Sequence, residues 1–334
     1  MILPGAIASP ASNGFSIGPF FFHAYGIAYV FAVAAAIYIS RRRWGRVGGD
    51  PELCYEIAMW AFPAGLIGGR IYFDITTPSQ IPDHWWGIFA IWQGGLGIWG
   101  GIAGGVGVGL WVAHRRLGRD DLLRLMDAVA PGLLVAQAIG RIGNYFNQEL
   151  FGAPSSLPWA IKIDPSHRPP GYAHVPTFEP TFLYELIWNL VLASFLVWLG
   201  SRRRIRAPGL FALYVAGYSG FRIFEETQRI DYSNHVLGLR LNFFVALILC
   251  LIGLLWFVAL QRGFRGWGVE PAEVVPESAR DAGPTRGLGY PRAAAATASG
   301  GAASGAAAGS RASRGSQRRP PPPPRKGSRG QRRH

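Results

Sequence analysis

Apolar residues gather into seven segments, at about residues 19–40, 54–75, 92–113, 122–142, 181–199, 208–226 and 241–260. Each is close to the ~20 residues that a helix needs to cross the hydrocarbon core of a bilayer. Several contain Gly or Pro, which membrane helices tolerate. The pattern predicts an all-α, polytopic membrane protein with about seven transmembrane helices. Basic residues divide unevenly between the two sets of loops. Arg41-Arg42-Arg43 with Arg46, Arg115-Arg116 with Arg119, Arg202-Arg203-Arg204 with Arg206, and Arg262 with Arg265 follow the first, third, fifth and seventh segments, a total of 13. The alternate loops, roughly 76–91, 143–180 and 227–240, carry only Lys162, Arg168, Arg229 and Arg240. Arg-rich loops stay in the cytoplasm, so the expected topology has the N-terminus outside and the C-terminus inside.

Composition agrees with this picture, since 49% of the 334 residues are hydrophobic and only 16% are charged. The net charge of +14 is mostly local. Residues 271–334 hold 12 Arg or Lys against 3 Asp or Glu, a balance of +9, which leaves +5 for the apolar body. From about residue 268 the chain turns to Ala, Gly, Ser, Pro and Arg, including the run Pro320 to Pro324 followed by Arg325-Lys326. Such a segment has too little apolar surface to order itself. The expected organisation is a seven-helix membrane domain over 1–267, with an outward loop region at about 143–180, and a disordered basic cytoplasmic tail over 268–334. The tail suits the anionic inner leaflet or a solvated end, with no specific nucleic acid as partner. Met1 to Pro10 carry no basic residue of the kind that begins a cleaved signal peptide, so the first helix is expected to be retained. Trp85, Trp86 and Trp92 cluster where an interfacial aromatic belt belongs. Gly100-Gly101, Gly104-Gly105, Gly107 and Gly109 mark a helix that lets a neighbour approach closely. Cys54 and Cys250 have no CxxC spacing and no histidine nearby, so no metal or cofactor is expected.

Candidate chemistry lies in the ionisable residues of the apolar segments. Such residues are costly in a bilayer unless they face a cavity, a partner or a ligand. Arg70, Arg141 and Arg222 fall within or at the ends of segments. Arginine stays charged and presents a planar fork of donors that fits a phosphodiester, so arginines on several helices point to a phospholipid headgroup. Asp127 and Arg141, fourteen residues apart, share a helix face, and Tyr218, Arg222 and Glu226 recur every four residues. For Asp127, Tyr184 and Glu185 the alternative is an interhelical network that holds the bundle together.

The stretch Gly140-Arg141-Ile142-Gly143-Asn144-Tyr145-Phe146-Asn147-Gln148-Glu149-Leu150-Phe151-Gly152 resembles the signature of prolipoprotein diacylglyceryl transferases, Gly-Arg-any-Gly-Asn-Phe-any-Asn-any-Glu-any-any-Gly, with Tyr145 in place of Phe. The similarity extends from His23-Ala24-Tyr25-Gly26 through Gly68-Gly69-Arg70, Asp127 and Tyr184-Glu185 to Gly217-Tyr218-Ser219-Gly220-Phe221-Arg222-Ile223-Phe224-Glu225-Glu226. The resemblance implies transfer of the diacylglyceryl group of phosphatidylglycerol to the lipobox cysteine of lipoprotein precursors, at the outer half of a bacterial cell membrane, with release of glycerol phosphate. It implies catalytic roles for Arg141, Arg222, Tyr25 and Glu226. The lipid would be held by Arg141, Asn144, Asn147, Glu149, Gly152, Arg70, Tyr218, Glu185 and Asp127. The chain departs from the family at Trp99, where some relatives have a histidine proposed as base, and at Glu179, which replaces a second histidine.

Rival readings are weaker. A transporter of a lipid or anionic solute would also carry polar residues in its spans, but the two halves show no inverted repeat. Gly217-Tyr218-Ser219-Gly220 suggests an intramembrane serine protease, which would need a histidine in mid-span. His23, His84, His114, His167, His174, His235 and His334 all fall elsewhere. A two-metal phosphatidyl transferase would need clustered aspartates within a span.

Overall fold

The structure is a computed structural model and describes residues 6–84, 86–91, 94–231, 233, 235–264 and 266–275. Trp85 and Trp92 of the expected aromatic belt, and the tail beyond Val275, lie outside the described residues. Seven long helices match the seven apolar segments: α1 (Ala24–Arg46), α2 (Glu52–Thr76), α3 (Ile98–Arg116), α4 (Arg119–Asn147), α5 (Thr181–Arg202), α6 (Gly209–Gln228) and α7 (Leu241–Gln261). Among the described residues, α1, α4, α5 and α7 are long and apolar enough on their own to cross a membrane. The other three helices carry features that lower their hydropathy. Arg222, Glu225 and Glu226 lie in α6, Glu56, Arg70 and Asp74 in α2, and a run of glycines in α3.

The boundaries differ from the hydropathy pattern where local hydrogen bonding wins. Residues 19–23 are apolar but pair in a hairpin, β1 (Gly14–Ile17) with β2 (Phe20–His23), so α1 begins at Ala24. α4 runs past the apolar segment to Asn147 and stops where Gln148 turns left-handed, at φ 52°. Asp120 and Asp121 lie in the first turn of α4 and Arg43 and Arg46 in the last turn of α1, each favourable to the helix dipole. Between α4 and α5 the chain forms the small pairs β3 (Ile161–Lys162) and β4 (Thr177–Phe178) over a core of Phe151, Ile161, Ile163, Phe178 and Phe182. A last hairpin, β5 (His235–Val236) with β6 (Leu239–Arg240), leads into α7.

α4 is the central helix, packed against α1, α5 and α6, while α2 packs on α3 and α6 on α7. Its packing faces bury Ala128, Ala130, Pro131, Gly132, Leu134 and Ala138. The α2–α3 contact depends on missing side chains. A Cβ on Gly68 would sit 2.4 Å from the Gly100 carbonyl oxygen, and one on Gly100 would sit 2.1 Å from that of Gly68. The glycine run of α3 is therefore a contact face, as small-residue membrane helices use it. Large apolar side chains such as Met59, Trp60, Ile67, Ile248, Ile252 and Leu255 point away from the protein. So much outward apolar surface fits a lipid environment.

The composition break at residue 268 does not end the packing. Val269 exchanges two backbone hydrogen bonds with Ala207, at 2.8 and 2.9 Å, and the Val275 amide donates to the Arg46 carbonyl at 2.8 Å. Arg124 donates to the Glu270 carbonyl, and Arg204 pairs with Glu273. Residues 269–275 thus strap across the Arg-rich ends of α1, α4 and the α5–α6 turn.

Candidate active site

At the opposite end of α4 from that strap, three helices each contribute an ionised side chain to one buried knot. Arg141 of α4 donates through Nη2 to Glu185 Oε1 of α5 at 2.6 Å, and Arg222 of α6 donates through Nη1 to Glu185 Oε2 at 3.2 Å. Glu185 is 0% exposed, so both of its oxygens are spent on the two guanidinium groups. Arg222 also donates to Glu225 and to Glu226, its neighbours at i+3 and i+4 on the same helix. The knot continues outward. Arg240 donates to Glu226 Oε2 at 2.7 Å and to Asp231 Oδ2 at 3.0 Å, and Arg229 holds Asp231 through two nitrogens at 2.7 and 2.8 Å.

Burial of Asp231 pushes its carboxyl up, but the Arg229 hydrogen bond and charge, with Arg240, hold it below the usual carboxylate range. Stability from that pairing is complete above the unfolded carboxyl's pKa and is lost as pH falls through the lower folded one.

The signature loop packs on the same end. Arg141 Nη1 donates to Asn144 Oδ1 at 3.1 Å, Asn144 donates to Glu149 Oε1 at 2.8 Å, and Asn147 donates to the same oxygen at 3.3 Å. Gly143 is required by Tyr25, because a Cβ there would fall 2.2 Å from the Tyr25 ring. Gly152 donates its amide to the Glu179 carbonyl at 2.8 Å, and a Cβ there would meet Thr181 at 2.8 Å. It closes the loop onto the start of α5. Tyr218, one turn before Arg222, lies within the fields of Glu185, Arg141 and Arg222.

Two of the expected lipid ligands are elsewhere. Asp127 shares the α4 face with Arg141, but fourteen residues of helix separate them by ~21 Å. Its carboxylate instead accepts the Phe211 amide at 2.9 Å, at the start of α6. Arg70 uses every guanidinium nitrogen on its own loop. It donates to the carbonyls of Gly87 at 2.6 Å, Ile88 at 2.9 Å, Gly94 at 2.8 Å and Gly95 at 3.2 Å, with the Asp74 carboxylate 3.0 Å from Nε. It draws Gly87, Ile88, Gly94 and Gly95 together ahead of α3. Tyr184 likewise faces the loop region, where its hydroxyl accepts from the Trp159 indole at 2.9 Å.

Other residues belong to the knot although the sequence pattern did not single them out. Glu225 stands outside the four-residue spacing of Tyr218, Arg222 and Glu226, three residues after Arg222. Arg240 counted only as a loop charge, although it is 7% exposed. Asn189, one turn beyond Glu185 on α5, is fully buried with neither side-chain atom hydrogen-bonded among the described residues.

Ion pairs of this kind are a poor device for stability, since the desolvation of buried charges can exceed their attraction. Arg141 and Arg222 each keep a side chain 16% exposed, whereas Glu185 between them is fully buried. The fold and site define a multi-pass membrane protein with a buried arginine–carboxylate centre. The profile of the prolipoprotein diacylglyceryl transferase family matches residues 13–259, and the chain belongs to that family. It is 44% identical over 282 residues to a phosphatidylglycerol–prolipoprotein diacylglyceryl transferase of Frankia alni, covering 83% of this chain and 72% of that protein. Transferases of the same description from Cutibacterium acnes (45% identical, 78% of this chain and 88% of theirs) and Bifidobacterium adolescentis (41%, 77% and 80%) are similar.

Proposed function

We propose that this chain moves the diacylglyceryl group of phosphatidylglycerol onto the lipobox cysteine thiol of lipoprotein precursors and releases glycerol phosphate. The observation that carries this reading is the bridge Arg141–Glu185–Arg222, which brings guanidinium groups from α4 and α6 to one carboxylate. A phosphodiester offers the same kind of oxygen acceptors as that carboxylate, so the two arginines have the right geometry to share it. Arg141 would bind the phosphate. Arg222 would assist and draw the thiolate, because a neighbouring cation raises the ionised fraction of a thiol. Asn144, Asn147, Glu149 and Gly152 would shape the loop around the headgroup, and Tyr25 would donate a hydrogen bond to a phosphate oxygen. Sulfur attacks the glycerol carbon that bears the phosphate, a C–S bond forms, and the C–O bond to phosphate breaks. Membranes holding the protein, supplied with phosphatidylglycerol and a lipobox peptide, are expected to yield peptide heavier by one diacylglyceryl group in mass spectrometry. Unmodified peptide with well-inserted protein would favour a transporter.

All seven helices are proposed to span the membrane in a domain over 1–267, on which the first residues of the tail, 269–275, pack, with the N-terminus outside, the site in the outer half and the basic tail in the cytoplasm. The charge asymmetry between loops supports this orientation. Arg168→Cys is expected to react with an impermeant thiol reagent from outside only, and Arg203→Cys from inside only. Reversed access would refute the orientation.

A further inference from the structure

Three carboxylates surround Arg222, and their oxygens are not equally served. Glu185 has one oxygen taken by Arg141 and the other by Arg222. Glu226 has one taken by Arg222 and the other by Arg240. Glu225, its side chain 1% exposed, gives Oε2 to Arg222, while no guanidinium reaches its Oε1 and the Glu185 carboxyl is its other neighbour within hydrogen-bond reach. An ionised carboxylate can only accept, and a buried acceptor without a donor costs about 1–3 kcal/mol, more when charged. A proton on Oε1 removes that cost. Trp99, at the position where some family members have a histidine, cannot take a proton, because an indole N–H is only a donor.

Resting on the transfer reading above, we propose that Glu225 Oε1 receives the proton of the precursor's cysteine thiol, directly or across one water. The S–H bond breaks with its electron pair left on sulfur, and that pair forms the C–S bond. The C–O bond to phosphate breaks with its pair on the departing oxygen, and Glu225 then gives its proton to that oxygen, so glycerol phosphate leaves and the carboxylate is restored. The surrounding charges favour the step. Arg141 faces Glu225 from α4 and Glu185 from α5, with Tyr218, Arg222 and Glu226 on its own helix. Arg141, Arg222, Arg229 and Arg240 are matched by Glu185, Glu225, Glu226 and Asp231 when all are ionised. A proton on Glu225 makes the site one charge more positive where thiolate and phosphodiester gather.

The test compares lipobox peptides carrying cysteine or selenocysteine, since a selenol is ionised at neutral pH and needs no proton acceptor. Glu225→Gln is expected to slow transfer to the cysteine peptide by about 100-fold, the lower end of what a positioned base contributes, while transfer to the selenocysteine peptide stays near the wild-type rate. Equal loss on both peptides, or no loss on cysteine, overturns the proposal. Glu226→Gln, with both oxygens already committed to arginines, is expected to lose activity on both peptides alike. If Glu225→Gln fails to insert, Glu225→Asp serves, because its shorter arm should slow cysteine transfer and spare selenocysteine, and an equal fall on both would again overturn the role. Wild-type protein that transfers nothing to the cysteine peptide refutes the transfer reading itself. Wild-type transfer with an equal Glu225→Gln deficit refutes only the part assigned to Glu225.

Discussion

Arg141→Lys and Arg222→Lys are each expected to lower kcat/KM for diacylglyceryl transfer by at least about 100-fold, or ~2.7 kcal/mol of transition-state stabilisation, although both keep the positive charge. The reason is the number of directions each guanidinium serves at once. Arg141 reaches Glu185 with one nitrogen and Asn144 with another, so its position fixes both α5 and the signature loop. Arg222 reaches Glu185, Glu225 and Glu226. A lysine ammonium is a compact point charge and cannot hold a planar fork while presenting a second edge to a phosphodiester. Transfer to a lipobox peptide, normalised to inserted protein, is the measurement. Near wild-type turnover in either variant would remove that arginine from the phosphate site.

Much of this architecture could be read from the sequence because hydropathy alone sets where helices lie in a membrane protein. The segments at 122–142 and 181–199 fall within α4 and α5. Hydropathy has nothing to say about hydrogen bonding, and so it missed the hairpin of residues 14–23, whose apolar side chains look like the start of a helix. Asp127 and Arg141 share a face, yet fourteen residues of helix put ~21 Å between them, so a shared face is not a shared site. Arg70 was misleading for a different reason. An arginine inside an apolar segment needs partners, but backbone carbonyls of a nearby loop satisfy it as well as a lipid phosphate does, and only the folded positions of Gly87, Ile88 and Gly94 distinguish the two. Arg240 joined the site because β5 and β6 turn it back toward Glu226, a tertiary contact with no local spacing to announce it.

Glu185 separates stability from catalysis in a way that the arginines do not. Glu185→Gln keeps the side chain's shape but leaves Arg141 and Arg222 facing a neutral amide, whose single oxygen can accept from only part of the donors now bound. Removing one partner from a buried ion pair costs about 3–5 kcal/mol, because the remaining charge is uncompensated. The variant is therefore expected to melt at a clearly lower temperature and to lose transfer by at least about 100-fold. Adding Arg141→Gln to it removes the guanidinium whose carboxylate partner was Glu185, while Arg222 keeps Glu225 and Glu226. The double variant is expected to regain part of the lost thermal stability, since replacing both partners is less costly than breaking the pair, yet to stay inactive because the fork that grips the phosphate is gone. Melting temperature should thus rise from the single to the double variant while transfer does not recover. If the double variant recovers activity along with stability, the three side chains only hold the helices together and the phosphate site must be sought elsewhere.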